Sequence, residues 1–219
     1  MSSKSKGGGT MVRKIVLTGG PSSGKTTILK VIQEEFCGRV VIVPEIATML
    51  LSGGFPIPGK DLDWSEEWQA CLQSAILPLQ ASMEDAYVLL AKAKGVKVII
   101  CDRGSLDGAA YTPGGVKKFC TKNNLDVELE LSRYSAVIHL ESLAVIAPDK
   151  YGTANNEARF ESLERAQELE RATQMVWKSH HHRTIIDGKR GIDGKIAQVI
   201  GIVKFVLSLS EASMEKYTS

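Results

Sequence analysis

The chain has 219 residues, 43% of them apolar and 24% charged, with a formal net charge of +2. That length suits a single α/β domain with a full core, and a charge so near neutral argues against a nucleic-acid partner. No run reaches the roughly 18 uncharged apolar residues of a membrane span, and the opening MSSKSKGGGT lacks the apolar core of a secretory leader.

Residues 1–11 read as a flexible Gly/Ser-type tail, and residues 12–219 as one folded unit. The first predicted strand is Lys14–Thr18. GGPSSGKTT follows it, and a helical pattern then runs from Lys25 to Phe36. Gly19-x-x-x-x-Gly24-Lys25-Thr26 is the phosphate-loop pattern in its required strand–loop–helix setting. Glycines let the backbone approach a ligand closely, and the N–H groups of the loop then form an anion-binding concavity. The helix adds the positive end of its dipole. The expected nucleotide-binding set is Gly19, Gly20, Pro21, Ser22, Ser23, Gly24, Lys25, Thr26 and Thr27. Lys25 is suited to bridge the β- and γ-phosphates, and the Thr26 hydroxyl to join the shell of Mg²⁺.

A second strand, Val40–Val43, ends at Pro44-Glu45. Glu45 has two readings: a base that accepts the proton of an attacking hydroxyl, or a cap of the helix begun by EIATMLL. The longest helical pattern runs from near Asp63 to near Lys94, with Asp63 and Glu66 as a capping pair. Trp64, Trp68, Leu72, Ile76, Leu79, Met83, Tyr87 and Leu90 form its apolar stripe. Pro78 inside it removes one backbone hydrogen bond and should kink it. Gln69 and Gln73 share a face that suits either a polar substrate edge or solvent.

The third strand, Lys97–Cys101, leads into Asp102-Arg103-Gly104. In an open parallel sheet, ligands gather at the carboxyl ends of the strands. Asp102 there can reach Mg²⁺ directly or through water, and Arg103 can hold a phosphate; a plain strand-end ion pair is the bland alternative. Asp107, Tyr111 and Lys117 follow and are placed to line an acceptor pocket. A fourth strand, Ala136–Leu140, ends at Glu141-Ser142. The polar run APDKYGTANN then precedes a helical pattern from Glu157 to Trp177, so that residues 142–177 suggest a lid. Its arginines, Arg159, Arg165 and Arg171, are spaced six apart, about 240° around a helix, so they point three ways. Arg165 and Arg171 have carboxylates three or four residues away, whereas Arg159 has none and is the expected phosphate contact.

The fifth strand is Thr184–Ile186, and a last helical pattern spans Asp193–Ser210 and should pack on the sheet. Continuous apolar strands alternating with helices indicate a doubly wound parallel sheet. His180–His182 are consecutive and do not face one another, which disfavours chelation. Cys37, Cys71, Cys101 and Cys120 have no metal-ligand spacing and read as buried free thiols of a reducing, cytoplasmic compartment.

With IVLTGGPSSGKTTIL, VVIVPEIATMLLSGG, WQACLQSAILPLQASMEDA, VIICDRGSLDGAAY and ARFESLERAQELERATQMVW in place, the chain resembles a group of P-loop kinase-like ATPase domains. That group contains the nicotinamide riboside kinase half of a bacterial NAD-biosynthesis regulator and a eukaryotic photoreceptor-trafficking protein. The resemblance spans about residues 12–207. It implies a P-loop three-layer sandwich of the nucleoside- and nucleotide-kinase type, with five parallel strands. It also implies Lys25 and Thr26 at the triphosphate, Asp102 near Mg²⁺, and Glu45 and Arg103 at an acceptor pocket. Some members are ATP- or GTP-binding modules.

Two functional readings follow. The first is a kinase-like phosphotransferase that moves the γ-phosphate of ATP to a hydroxyl of a nucleoside-like acceptor, with Lys25, Glu45, Asp102, Arg103 and Arg159 as its catalytic set. The second is a nucleotide-dependent binding module for a protein or an inositol lipid. A slow hydrolase, with water as acceptor, is a blander version of the first. The guanine-reading Asn-Lys-x-Asp pattern of small GTPases is missing, which favours ATP and leaves GTP open.

Overall fold

The computed structural model describes residues 11–151 and 162–218. Five strands, β1 (Arg13–Thr18), β2 (Val40–Val43), β3 (Val98–Asp102), β4 (Ala136–Leu140) and β5 (Arg183–Ile186), form one sheet in the order β2-β3-β1-β4-β5. All four pairings are parallel. Eight helices accompany them among the described residues: α1 (Lys25–Glu35), α2 (Ile46–Ser52), α3 (Glu66–Ala93), α4 (Gly115–Lys122), α5 (Val127–Ser132), α6 (Leu143–Ile146), α7 (Leu163–Val176) and α8 (Gly191–Thr218).

Alternate residues of each buried strand feed opposite faces, as the pleat requires. Ile15, Leu17, Val98, Ile100 and Ile138 pack with Ile28 and Ile32 of α1 and Val199 and Val203 of α8. Val16, Ile99, Cys101 and Val137 pack on the other face, with Ala91 of α3, Phe119 of α4 and Val176 of α7. The chain moves from β1 to β3 and β2 on one side and to β4 and β5 on the other. The carboxyl end of β1 is therefore the switch point at which such sheets bind ligands. Among the described residues no helix is long and apolar enough to cross a membrane.

Three expectations are corrected here. Helix α3 starts at Glu66, not near Asp63: Ser65 is its N-cap, and its hydroxyl accepts from Trp68 N at 3.1 Å. It then runs through Pro78 without a break. The predicted stripe is inward at Leu72, Met83 and Tyr87 but fails at its two ends and misses two polar residues. Trp64 is 57% exposed and Leu90 is 38% exposed, while Gln80 and Glu84 are buried. Cys37 and Cys71 are exposed, and only Cys101 and Cys120 are buried.

Candidate functional site

The phosphate loop departs from β1 through Gly19, at φ 147°, and enters α1 through Gly24, at φ 93°. Both angles lie where glycine is favoured. A Cβ on Gly19 would come 2.3 Å from the Leu140 carbonyl oxygen. Lys25 folds back over the loop, donating to Gly19 O at 3.2 Å and to Ser23 Oγ at 3.4 Å. Burial and the neighbouring Arg103 guanidinium lower its pKa to about 8. Thr26 and Thr27 are exposed on the first turn of α1.

The strand ends bring the predicted charges together. The backbone of Leu17 is in register with Asp102, so β1 and β3 deliver the loop and the DRG turn side by side. Arg103 does not pair with its neighbour Asp102. Its Nε donates to Glu45 Oε1 at 2.6 Å, and its Nη1 reaches Gly19 O at 3.4 Å and Asp107 Oδ1 at 3.5 Å. Glu45 occupies the N-cap position of α2 but makes no side-chain cap bond there. Its other oxygen accepts from Thr48 Oγ1. Although burial opposes it, Arg103 and Lys25 hold the Glu45 pKa down to about 2, so this carboxylate is ionised at any ordinary pH. Asp107 is buried and works as a tie: it accepts from Thr18 Oγ1, from Gly104 N at 2.8 Å and from Trp177 Nε1 at 3.2 Å.

Beside this cluster lies a groove of about 490 Å³, within the range of small-molecule sites. Its walls carry Trp64, Tyr111 and Phe119 together with the amides of Gln69, Gln73 and Asn123. Tyr111 connects groove and charges, its ring centroid 5.9 Å from Arg103 Cζ. Lys117 is exposed and is not among the groove residues. Arg165 is on the rim and pairs with Glu168 at 3.0 Å, as the sequence spacing suggested. Arg159 lies outside the described residues.

Three side chains that the sequence did not single out brace the loop. Glu170 of α7 accepts from Gly20 N at 2.8 Å, and its other oxygen lies 2.6 Å from His139 Nε2. Lys195 of α8, 4% exposed, donates to Ser23 O at 3.1 Å and to Glu141 O. Ser142 Oγ donates to Pro21 O. Each lies more than 100 residues from its partner in the loop, so no local spacing announces it. His180, by contrast, is engaged by backbone: its Nε2 is 2.9 Å from Tyr134 O and its Nδ1 accepts from His182 N.

The residues fit a divalent cation. Asp102 Oδ1 is buried and has no hydrogen-bond partner, which is costly for a carboxylate unless a ligand fills the gap. Burial and the nearby Glu45 charge raise the Asp102 pKa to about 6. Folding thus favours the protonated form, and ionisation above pH 6 destabilises the ligand-free protein by on the order of 3 kcal/mol. Asp102→Asn should therefore unfold at higher temperature than the wild type at pH 7.5 without metal or nucleotide. The gap should close as the pH falls from 6 to below the ordinary carboxyl value, and thermal melts across that range check it. The same substitution should abolish any stabilisation by Mg²⁺ added with nucleotide.

Comparisons with known proteins agree with this architecture. A family model described as an AAA domain matches residues 14–194. Among solved structures, a deoxyadenosine kinase from M. mycoides with bound dATP is similar at a TM-score of 0.58 and 15% sequence identity. The similarity covers 88% of this chain and 99% of that one. At that identity the likeness concerns the fold. No curated protein matches the sequence.

Proposed function

Because the chain belongs to the AAA-domain family, with a P-loop sheet like that of a nucleoside kinase, we propose that it is a small-molecule kinase. It transfers the γ-phosphate of ATP to a hydroxyl of a nucleoside-like acceptor. One observation carries the reading: the Glu45–Arg103 ion pair stands between the phosphate loop and an aromatic, amide-lined groove. A hydrolase would have no use for such a groove. The motif runs shared with the nicotinamide riboside kinase group point the same way.

The geometry supports one assignment of roles. The backbone N–H groups of the loop and Lys25 hold the triphosphate, with Thr26 and Asp102 positioned for Mg²⁺, which would neutralise charge on the β- and γ-phosphates. Arg103 is aimed at the loop and is placed to stabilise the transferring phosphoryl group. Glu45, ionised and fixed by Arg103 and Thr48, accepts a hydrogen bond from the acceptor hydroxyl. So acidic a carboxylate orients the nucleophile more than it deprotonates it. That suffices for a loose transition state in which the catalytic contribution is positioning and charge. Trp64, Tyr111 and Phe119 suit a planar ring, and the amides of Gln69 and Gln73 suit its polar edge. Arg159, outside the described residues, would be a further phosphate contact.

The test is ADP and GDP release from ATP or GTP with Mg²⁺ over a panel of nucleosides and nucleotides, with Lys25→Ala as the blank. The proposal expects release from ATP to rise at least about tenfold over the basal rate with one acceptor class. Tight nucleotide binding with no stimulated release would contradict it and favour the binding module.

A further inference from the structure

Outside the phosphate site, a buried polar cluster is centred on Glu84 of α3, which is 0% exposed. Its Oε1 accepts from Gln80 Nε2 at 2.9 Å and from Tyr134 Oη at 2.8 Å. Its Oε2 accepts from Lys14 Nζ and Arg133 Nη2, both at 2.9 Å. Burial alone would raise the carboxyl pKa, but Lys14, the Gln80 bond and Arg133 hold it below its ordinary value, so the hub is a charged acceptor. Two of its donors also reach away from it. Gln80 Nε2 donates to Arg103 O at 3.2 Å, and Tyr134 Oη accepts from Ser105 N at 2.8 Å.

We propose that Glu84, acting through Gln80 and Tyr134, is a positioning residue that holds the Asp102–Arg103–Gly104 turn in the shape the triphosphate site requires. This rests on the reading of that turn as part of a nucleotide site. Arg103 sits at φ 72°, a left-handed conformation that is strained for a non-glycine residue. The strain is tolerated only where the surroundings over-determine the backbone. Here they do: Arg103 N donates to Leu17 O at 3.1 Å and Gly104 N to Asp107 Oδ2, while the Gln80 and Tyr134 bonds tie the Arg103 carbonyl and the Ser105 N–H. The left-handed step accompanies an Arg103 side chain that reaches back to Glu45 and Gly19 O, with Asp102 kept at the strand end. The next position must be glycine, since a Cβ on Gly104 would lie 2.8 Å from both Trp177 and Val16. A staple that merely fixed α3 to the sheet would need only the Lys14–Glu84 pair. The amide and phenol are spent on the turn.

The test uses the full chain and two variants, Tyr134→Phe and Gln80→Leu. Tyr134→Phe keeps the ring that meets Trp177 edge-on at 5.4 Å and removes only the hydroxyl. Hydrogen exchange of a peptide covering residues 102–106 is compared with peptides from β1 and β4, and ATP affinity is measured with and without Mg²⁺. Leaving the Ser105 N–H unpaired should speed its exchange by about tenfold or more while the β1 and β4 amides keep their protection. The enhancement of ATP affinity by Mg²⁺ should fall by about tenfold, with metal-free affinity unchanged. Uniform loss of protection with the Mg²⁺ effect intact, or no change in either variant, would overturn the proposal. Neither readout involves an acceptor, so a chain that transfers no phosphate would sink the kinase reading and still decide this one.

Discussion

Lys25→Met is expected to weaken ATP binding by at least about 100-fold, because a charge-assisted contact to two phosphates is lost, and to make the free protein more stable. The second half follows from the site's electrostatics. With the Lys25 pKa lowered to about 8 by burial and Arg103, the folded protein carries an unfavourable ammonium at neutral pH. Between pH 8 and the ordinary lysine value the unfolded chain holds the proton and the folded one has released it. Folding is therefore favoured progressively as the pH rises through that window. The substitution should gain about 1–3 kcal/mol at pH 7, with solvent screening counted, and the gain should vanish towards pH 10.5. Denaturant titrations of both proteins at pH 7 and pH 10 measure it. A Lys25→Met protein less stable than the wild type at pH 7 would mean that the lysine is a structural tie and not a ligand group held in reserve.

Glu45→Gln carries the second large effect. Acceptor-stimulated turnover should fall about 10²–10⁴-fold, while ATP affinity stays within about threefold. The glutamine can still meet Thr48 but no longer carries the charge that pairs with Arg103. Stability at pH 7 should drop by about 1–3 kcal/mol, since Glu45 is partly solvated and Arg103 keeps Asp107. Folding lowers the Glu45 pKa to about 2, so its stabilising contribution is present above the ordinary carboxyl value. It is lost as the pH falls from there through 2, and the two proteins should converge in strong acid. Steady-state kinetics with a responsive acceptor and melts at pH 7 and pH 2 check both parts.

The sheet was legible because its signal is local. Strands buried on both faces read as unbroken apolar runs, and the phosphate loop needs its glycines at fixed positions between a strand and a helix. Glu45, Asp102 and Arg103 are picked out by one rule, that ligands gather where parallel strands end, and the structure pairs two of them. What stayed hidden depends on distant partners. Gln80 and Glu84 sit at polar positions of the α3 pattern, so periodicity assigns them to solvent. They turn inward because Lys14, Arg133 and Tyr134 satisfy the carboxylate there. Glu170 sits in a charged helical stretch with no local mark, and only its distant partners Gly20 N and His139 set it apart. Ser65, the observed α3 cap, is masked in the sequence by Asp63, two residues earlier, which offers the same chemistry at a matching spacing.

In the proposed reading, the site's charges, the groove beside them and the P-loop sheet serve phosphoryl transfer to a bound hydroxyl. The decisive observation is the fate of the γ-phosphate, followed by ³¹P NMR with Mg²⁺-ATP and the acceptor that most stimulates ADP release. A growing phosphomonoester signal, lost in Lys25→Met and suppressed in Glu45→Gln, is the predicted result. Inorganic phosphate as the sole product, at a rate indifferent to every acceptor, would contradict it.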